Sequence, residues 1–192
     1  MYGRRPYFLL LEGVTLNNTA RITLCAMMAA LASLFMLTSY FPYLTYAIPA
    51  VAGLFIMVAV IEINIKWATV AYISSAVIIA LIAEPEAKML YVLFFGYYPI
   101  LKAVFEKLKS RVLEYILKFA VLNTAVVFAY GVVAVLIGVD LSDMGDFGKY
   151  SSIVLLIAAN VVFVVYDFAV TKMAQFYVIR LHPQLSKILK IK

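Results

Sequence analysis

Residues 22–40 read ITLCAMMAALASLFMLTSY, a stretch without a single charged side chain. An α-helix needs about 20 apolar residues to cross the hydrocarbon layer of a bilayer. Comparable stretches recur along the chain, in which 66% of the 192 residues are hydrophobic and the mean hydropathy is +1.03. A soluble domain of this length cannot bury so much apolar surface. The sequence therefore predicts an all-α membrane protein.

Six apolar segments outline the predicted membrane-spanning helices. They cover about residues 22–40, 47–63, 67–83, 89–106, 112–139 and 152–178. The loops between them are short, so we expect residues 1–192 to form a single integral membrane domain. The fourth segment contains Gly96-Tyr97-Tyr98-Pro99, and Pro99 has no backbone N–H to donate. This segment is therefore predicted to be a broken helix.

Positive charge is distributed unevenly between the two predicted sides of the membrane. If the N-terminus lies inside, only Lys88 and Lys149 of the 16 Lys and Arg residues fall outside, which leaves fourteen on the inner side. Cytoplasmic loops carry an excess of Lys and Arg. The pattern therefore predicts six spans across a prokaryotic cytoplasmic membrane, with both termini on the inner side. The net charge of +6 thus belongs beside the membrane lipid, and no nucleic-acid partner is expected.

The motifs of common enzymes are missing from the sequence. One cysteine, Cys25, and one histidine, His182, do not make a His-rich or Cys-rich metal site. There is no Gly-rich phosphate loop, no His-Glu-x-x-His pair and no Gly-x-Ser-x-Gly elbow. We therefore predict no catalytic residue, no cofactor and no metal, and we do not expect an enzyme.

Polar side chains within the spans and the first outer loop form the candidate ligand site. Such groups are costly against lipid and should face the bundle or a cavity. Aromatic rings with a few amides suit a flat, neutral, vitamin-like molecule that binds from the outer side. The candidate residues are Tyr40, Tyr43, Tyr46, Tyr91, Tyr97, Asn123, Tyr130 and Asn160. The alternative is that the tyrosines form an interfacial belt and the asparagines join helices.

Asp167 is a carboxylate within the inner half of the sixth span, where it requires a cation. Lys118, near the inner part of the fifth span, is the best candidate partner. The pair is predicted to be a buried ion pair that fixes how the helices pack. The alternative is a proton or ion relay, for which no second carboxylate in the middle of the membrane is present.

The first span carries small residues at helical spacing. Ala26 and Ala30 lie one turn apart on a single face, where they allow another helix to approach closely. The approaching helix belongs either to a partner subunit or to the same chain, and the spacing alone does not decide between them.

Residues 21–32, RITLCAMMAALA, and residues 48–53, IPAVAG, within a six-span layout resemble the substrate-binding S component of energy-coupling factor (ECF) transporters. This resemblance implies that Ala26 and Ala30 dock on a transmembrane coupling subunit, and that two ATPase subunits drive the cycle. It also implies a small-molecule ligand in the outer half of the bundle, covered by the loop of residues 40–46.

Three hypotheses follow for the function. The first is a membrane substrate-capture subunit of an ECF-type importer that binds a small vitamin-like molecule from the outer side. The second is a non-catalytic membrane scaffold, similar in layout to the rod-shape-determining protein MreD, in which the basic segment 102–111 recruits cytoplasmic partners or anionic lipid. The third is a proton-coupled carrier that uses Asp167.

Overall fold

A computed structural model describes residues 17–41, 43–108, 110–137 and 145–183, and all regular structure within these ranges is helical. The prediction of an all-α chain is confirmed for this part. The helices are α1 (Asn18–Leu37), α2 (Ile48–Glu62), α3 (Ile65–Ile82), α4 (Pro85–Leu90), α5 (Tyr98–Phe105), α6 (Arg111–Ile137) and α7 (Gly145–Phe176). A 3-10 turn, Thr38–Tyr40, extends α1, and π-helical segments follow α4 at Tyr91–Phe95 and α7 at Tyr177–Leu181.

Five helical segments of the described chain are long and apolar enough to cross a membrane. They are Asn18–Tyr40, Ile65–Ile82, Pro85–Phe105, Arg111–Ala129 and Leu156–Leu181. The apolar helix α2 has 15 residues and is shorter than these five. An all-helical chain with several such segments agrees with the prediction of an integral membrane protein, whereas the sixth span and the orientation stay predictions.

The third and fourth predicted spans begin where a particular residue favours a helix start. Asn64 precedes α3, and its side-chain oxygen accepts a hydrogen bond from the backbone N–H of Trp67 at 3.0 Å, which satisfies one free amide. Pro85 is the first residue of α4, where its missing N–H costs nothing. The helix thus begins at Pro85, four residues before the start at residue 89 that the sequence predicted.

The predicted break in the fourth span is a π-helical segment followed by a turn. The N–H of Gly96 donates to the carbonyl of Tyr91 at 2.8 Å, the i to i+5 pattern of a π-helix. A Cβ at Gly96 would press against the ring of Tyr72, so a larger residue does not fit there. Helix α5 then restarts at Tyr98 with Pro99 in its first turn, where proline is tolerated.

Helix α2 is the centre of the bundle and packs against α1, α3, α5 and α7. Small side chains such as Ala52 and Ala59 allow the neighbouring helices to come close. Gly53 is the extreme case, because a Cβ there would collide with the backbone carbonyl of Phe95. One face of α2 therefore holds the π-helical segment in place.

The connections between helices gather at two ends of the bundle. The loop end carries residues 38–41 and 43–47 and the turn at 83–84, and the basic end carries residues 63–64, 106–108 and 110. Lys66, Arg111 and Arg180 lie at or near the basic end, whereas Lys88 lies near the loop end.

Candidate functional site

A cleft of about 320 Å³ lies between the π-helical segment Tyr91–Phe95, α6 and α7, in the half of the bundle towards the loop end. This volume is near the lower limit of pockets that hold small molecules, roughly 300–1,000 Å³. Its walls are Tyr46, Met89, Leu90, Leu93, Phe94, Phe95, Leu122, Ala125, Val126, Ala129, Ala158, Ala159, Val162, Phe163 and Tyr166. Alanines on α6 and α7 leave the space, and aromatic rings form the wall beneath it.

Tyr46 is the predicted ligand residue that lines the cleft. It lies in the loop before α2, and its hydroxyl donates to Oε2 of Glu86 on α4 at 2.9 Å. This hydrogen bond raises the pKa of the Tyr46 phenol above its usual value. The bond ties the loop to the helix that continues into the cleft wall.

The other two loop tyrosines are not among the cleft walls. The hydroxyl of Tyr40 donates to the carbonyl of Ile82 at 2.9 Å and so joins the end of α1 to the end of α3. Tyr43 is 96% exposed, and its backbone has a φ of 71°, in the left-handed region that favours glycine. The loop therefore contributes one side chain to the cleft and not three.

Tyr91 and Tyr97 lie on the side of the fourth span that faces α3. The hydroxyl of Tyr91 is buried and lies 2.8 Å from Oγ of Ser75, and the ring of Tyr97 packs edge-on against Tyr72. Neither tyrosine lines the cleft, although the ring of Tyr97 also packs edge-on against Phe94, which is a cleft wall. The contacts with Ser75 and Tyr72 join the fourth span to α3, whereas the sequence predicted either a ligand role or an interfacial belt for the tyrosines.

Asn123 and Asn160 form a pair of amides between α6 and α7. Nδ2 of Asn160 donates to Oδ1 of Asn123 at 2.9 Å, and Nδ2 of Asn123 lies 3.4 Å from Oδ1 of Asn160. Each amide also donates to the carbonyl four residues earlier in its own helix, at 2.8 Å and 2.7 Å. The pair joins the two helices beside the cleft. The side chain of the remaining candidate, Tyr130, lies outside the part that the structure describes.

Asp167 is the centre of an ion cluster between α5, α6 and α7. Lys118 Nζ lies 3.3 Å from its Oδ1, so the structure brings together the two residues predicted to pair. Lys102 forms an ion pair with the same carboxylate, and the hydroxyl of Tyr98 donates to Oδ1 at 2.5 Å. A carboxylate with three donors is well compensated, which favours a structural role over a relay.

Two further carboxylates complete this arrangement, which we call the Asp167 cluster: Tyr98, Lys102, Glu106, Glu114, Lys118 and Asp167. Glu106 lies 3.1 Å from Nζ of Lys102, and Glu114 lies 2.7 Å from Nζ of Lys118. Lys102 is only 1% exposed. We placed Lys102 only in the basic segment 102–111 and missed this role, although Tyr98, Lys102 and Glu106 share one face at intervals of four residues.

Aromatic rings connect the cleft to the Asp167 cluster. The ring of Phe94, a cleft wall, stacks on the ring of Tyr98 with centroids 5.1 Å apart. Two other walls, Phe163 and Tyr166, contact the same ring at 5.2 Å and 5.6 Å. Tyr98 is fully buried, so its ring is the floor behind the cleft and its hydroxyl reaches the cluster.

Ala26 and Ala30, the predicted docking residues, are both on the exposed face of α1. Ala29 and Ala32 are buried on the other face, where α1 packs against α2 and α3. The face with Ala26 and Ala30 is therefore not used for packing among the described helices. Between the two readings of the alanine pair, this placement favours an approach from outside the chain.

No group of three or more His, Cys, Asp or Glu side chains arranged to hold a metal ion occurs among the described residues. The single thiol, Cys25, is buried and donates to the carbonyl of Trp67 at 3.3 Å. Comparisons with protein-family models, with curated proteins and with solved structures find no match to this chain.

Proposed function

We propose that this chain spans a prokaryotic cytoplasmic membrane six times, with both termini inside, and captures a small molecule for an ECF-type importer. The cleft between the π-helical segment, α6 and α7 is the observation that carries the proposal. It lies in the half of the bundle opposite the basic end, which places it on the outer side in this orientation. A membrane subunit that picks up a ligand from outside needs a cavity there.

The exposed pair Ala26 and Ala30 supports the importer part of the proposal. Small side chains on a helix face let a second helix approach closely within lipid, where no water-driven force is available. The partners would be a transmembrane coupling subunit and two ATPase subunits that supply the energy. This chain has no catalytic role in the proposal and would need no cofactor.

The cleft walls also change the kind of ligand that we expect. Tyr91 and the two asparagines are engaged with protein partners. The described walls are apolar apart from the phenol of Tyr46, because the hydroxyl of Tyr166 is buried. The proposed ligand is therefore a mainly hydrophobic molecule, with fewer hydrogen-bonding groups than the sequence suggested. Tyr46 stands at the loop end of the cleft and is proposed to cover the ligand.

Purification from native membranes tests ligand capture and partner binding together. We expect the full chain to retain a small molecule in native mass spectrometry and to co-purify with an ATP-hydrolysing complex. Ala26→Leu and Ala30→Leu should abolish co-purification of the ATPase and leave the small molecule bound. Ala120→Leu, the same change at an exposed alanine on α6, is the control and should change neither. A chain that carries no small molecule and no ATPase would contradict the proposal.

Accessibility of introduced thiols tests the orientation. In a Cys25→Ser background, Tyr43→Cys at the loop end should react with a membrane-impermeant maleimide in intact cells. Lys66→Cys at the basic end should react only after the membrane is permeabilised. The reverse pattern would place the cleft on the cytoplasmic side and would refute capture from outside.

A further inference from the structure

The cleft opens at the side of the bundle. Two of its walls, Ala158 and Val162, are exposed on the outer surface of α7, and Val162 is 61% exposed. They lie within the first two turns of the apolar segment Leu156–Leu181. If this segment spans the membrane, the side opening faces hydrocarbon and not water.

The exposed faces of α6 and α7 have the character of a lipid-facing surface. Val127 on α6 and Val165 on α7 are strongly exposed and apolar, as expected of side chains that contact acyl chains. Ala125 and Ala159 are partly buried walls of the cleft, and their short side chains leave room for a bound molecule. The outer surface of α6 and α7 and the inside of the cleft are therefore both apolar.

The chemistry of the walls determines which class of molecule binds favourably. No Asp, Glu, Lys, Arg or His lines the cleft among the described residues, so a charged ligand would lose its hydration without gaining a partner. A neutral apolar molecule loses nothing of this kind, because it moves from hydrocarbon to a protein wall of similar polarity. Its binding rests on close packing against Phe94 and the other rings.

We propose that the ligand is a neutral, hydrophobic small molecule dissolved in the bilayer, and that it enters the cleft sideways past Ala158 and Val162 on α7. This inference rests on the proposed capture function and adds the class of substrate and its route. Capture from the bilayer also needs no opening of the loop that Tyr46 ties to Glu86.

Photolabelling of the full chain in phosphatidylcholine nanodiscs tests the route. The probe is 3-trifluoromethyl-3-phenyldiazirine, a small apolar molecule that partitions into hydrocarbon. Mass spectrometry should find labels on Leu93 and Ala125 inside the cleft, and these labels should saturate as the probe concentration rises. Labels on the lipid-facing Val127 and Val165 should rise in proportion to the probe concentration, and they report that the protein is folded in the bilayer.

A matched pair of substitutions tests the opening itself. Val162→Trp fills the opening and should lower labelling inside the cleft about tenfold. Val161→Trp makes the same change at the neighbouring position, which is equally exposed at 61% but is not a cleft wall, and should leave the labelling unchanged. If the tryptophan variant fails to fold, Ala158→Leu replaces it as the test. Leucine is smaller than tryptophan, so this change narrows the opening and should lower labelling inside the cleft several-fold.

A water-soluble probe, the same diazirine with a carboxylate on its ring, separates this inference from the proposed function. Cleft labels from the apolar probe alone, lost in Val162→Trp, support entry from the bilayer. Cleft labels from the carboxylate probe, or apolar labels that survive Val162→Trp, would overturn sideways entry but leave the capture function in place. If neither probe labels Leu93 or Ala125, the cleft is not a ligand site and both proposals fail.

Discussion

Replacing Lys102 by methionine isolates the contribution of the Asp167 cluster to stability. Methionine keeps much of the length of the lysine side chain, so packing around the fully buried stem should change little. The variant removes the ion pairs to Asp167 and Glu106 and leaves Glu106 with Lys118 at 3.9 Å as its nearest cation within the cluster. The effect is therefore electrostatic in origin.

The size of the effect follows from the burial of this lysine. Removal of one partner from a buried ion pair typically costs about 3–5 kcal/mol, because the remaining charge is left uncompensated. Asp167 keeps Lys118 at 3.3 Å and the Tyr98 hydroxyl at 2.5 Å, which softens the loss. We therefore expect Lys102→Met to lower the free energy of unfolding by about 3 kcal/mol, at the low end of that range.

Reversible unfolding in mixed detergent micelles, followed by tryptophan fluorescence, measures this difference. Lys172→Met is the matched control, since Lys172 is exposed and contacts the ring of Phe168, and it should change stability by less than about 0.5 kcal/mol. Adding Asp167→Leu to Lys102→Met should recover part of the loss. Equal stability of Lys102→Met and Lys172→Met would refute a structural role for the cluster and would revive Asp167 as a proton relay.

Three smaller predictions concern packing, and each is measured by the same unfolding assay. Gly53→Ala should destabilise the folded protein by about 1–3 kcal/mol, because the added Cβ collides with the backbone of the π-helical segment. A Cβ added at Gly131 meets nothing within 4 Å, so Gly131→Ala should leave stability unchanged or raise it by about 0.5–1 kcal/mol. Asn123→Leu and Asn160→Leu should be coupled by about 0.6–1.7 kcal/mol in a double-mutant cycle, and strict additivity would contradict the amide pair. Tyr166→Phe should stabilise by about 1 kcal/mol, because its buried hydroxyl has no partner among the described residues, and a loss would mean that the hydroxyl is bonded.

The apolar helices of this fold were predictable because a bilayer permits few backbone structures. Every buried N–H and C=O must be satisfied within the segment, so a long uncharged run such as 22–40 predicts a helix. The break in the fourth span was also predictable, since Gly96 and Pro99 restrict the backbone there. The π-helical form of Tyr91–Phe95 was not, because hydrophobic pattern does not reveal which carbonyl an amide selects.

The site was less predictable than the fold. Asp167 was conspicuous as a carboxylate inside a span, and the structure places Lys118 beside it. The aromatic and amide groups gave no such guidance, since a tyrosine that turns inward can bond to any neighbour. Tyr91 bonds to Ser75 and Asn123 bonds to Asn160, so their polar atoms are engaged away from the cleft. The cleft exists because the alanine side chains on α6 and α7 are small. Alanines within an apolar helix do not stand out in the sequence, so the cleft was not predicted from them.

Helix α2 has 15 residues and rises about 22 Å at about 1.5 Å per residue, less than the roughly 30 Å thickness of a bilayer core. Most of its side chains are enclosed by other helices, so acyl chains hardly touch it. A helix without lipid contact exerts little hydrophobic mismatch, whereas the largely exposed α6 and α7 respond to membrane thickness by tilting. In a thinner or thicker membrane α6 and α7 would change their tilt while α2 kept its orientation. The lipid composition would thereby change the distance between the outer helices.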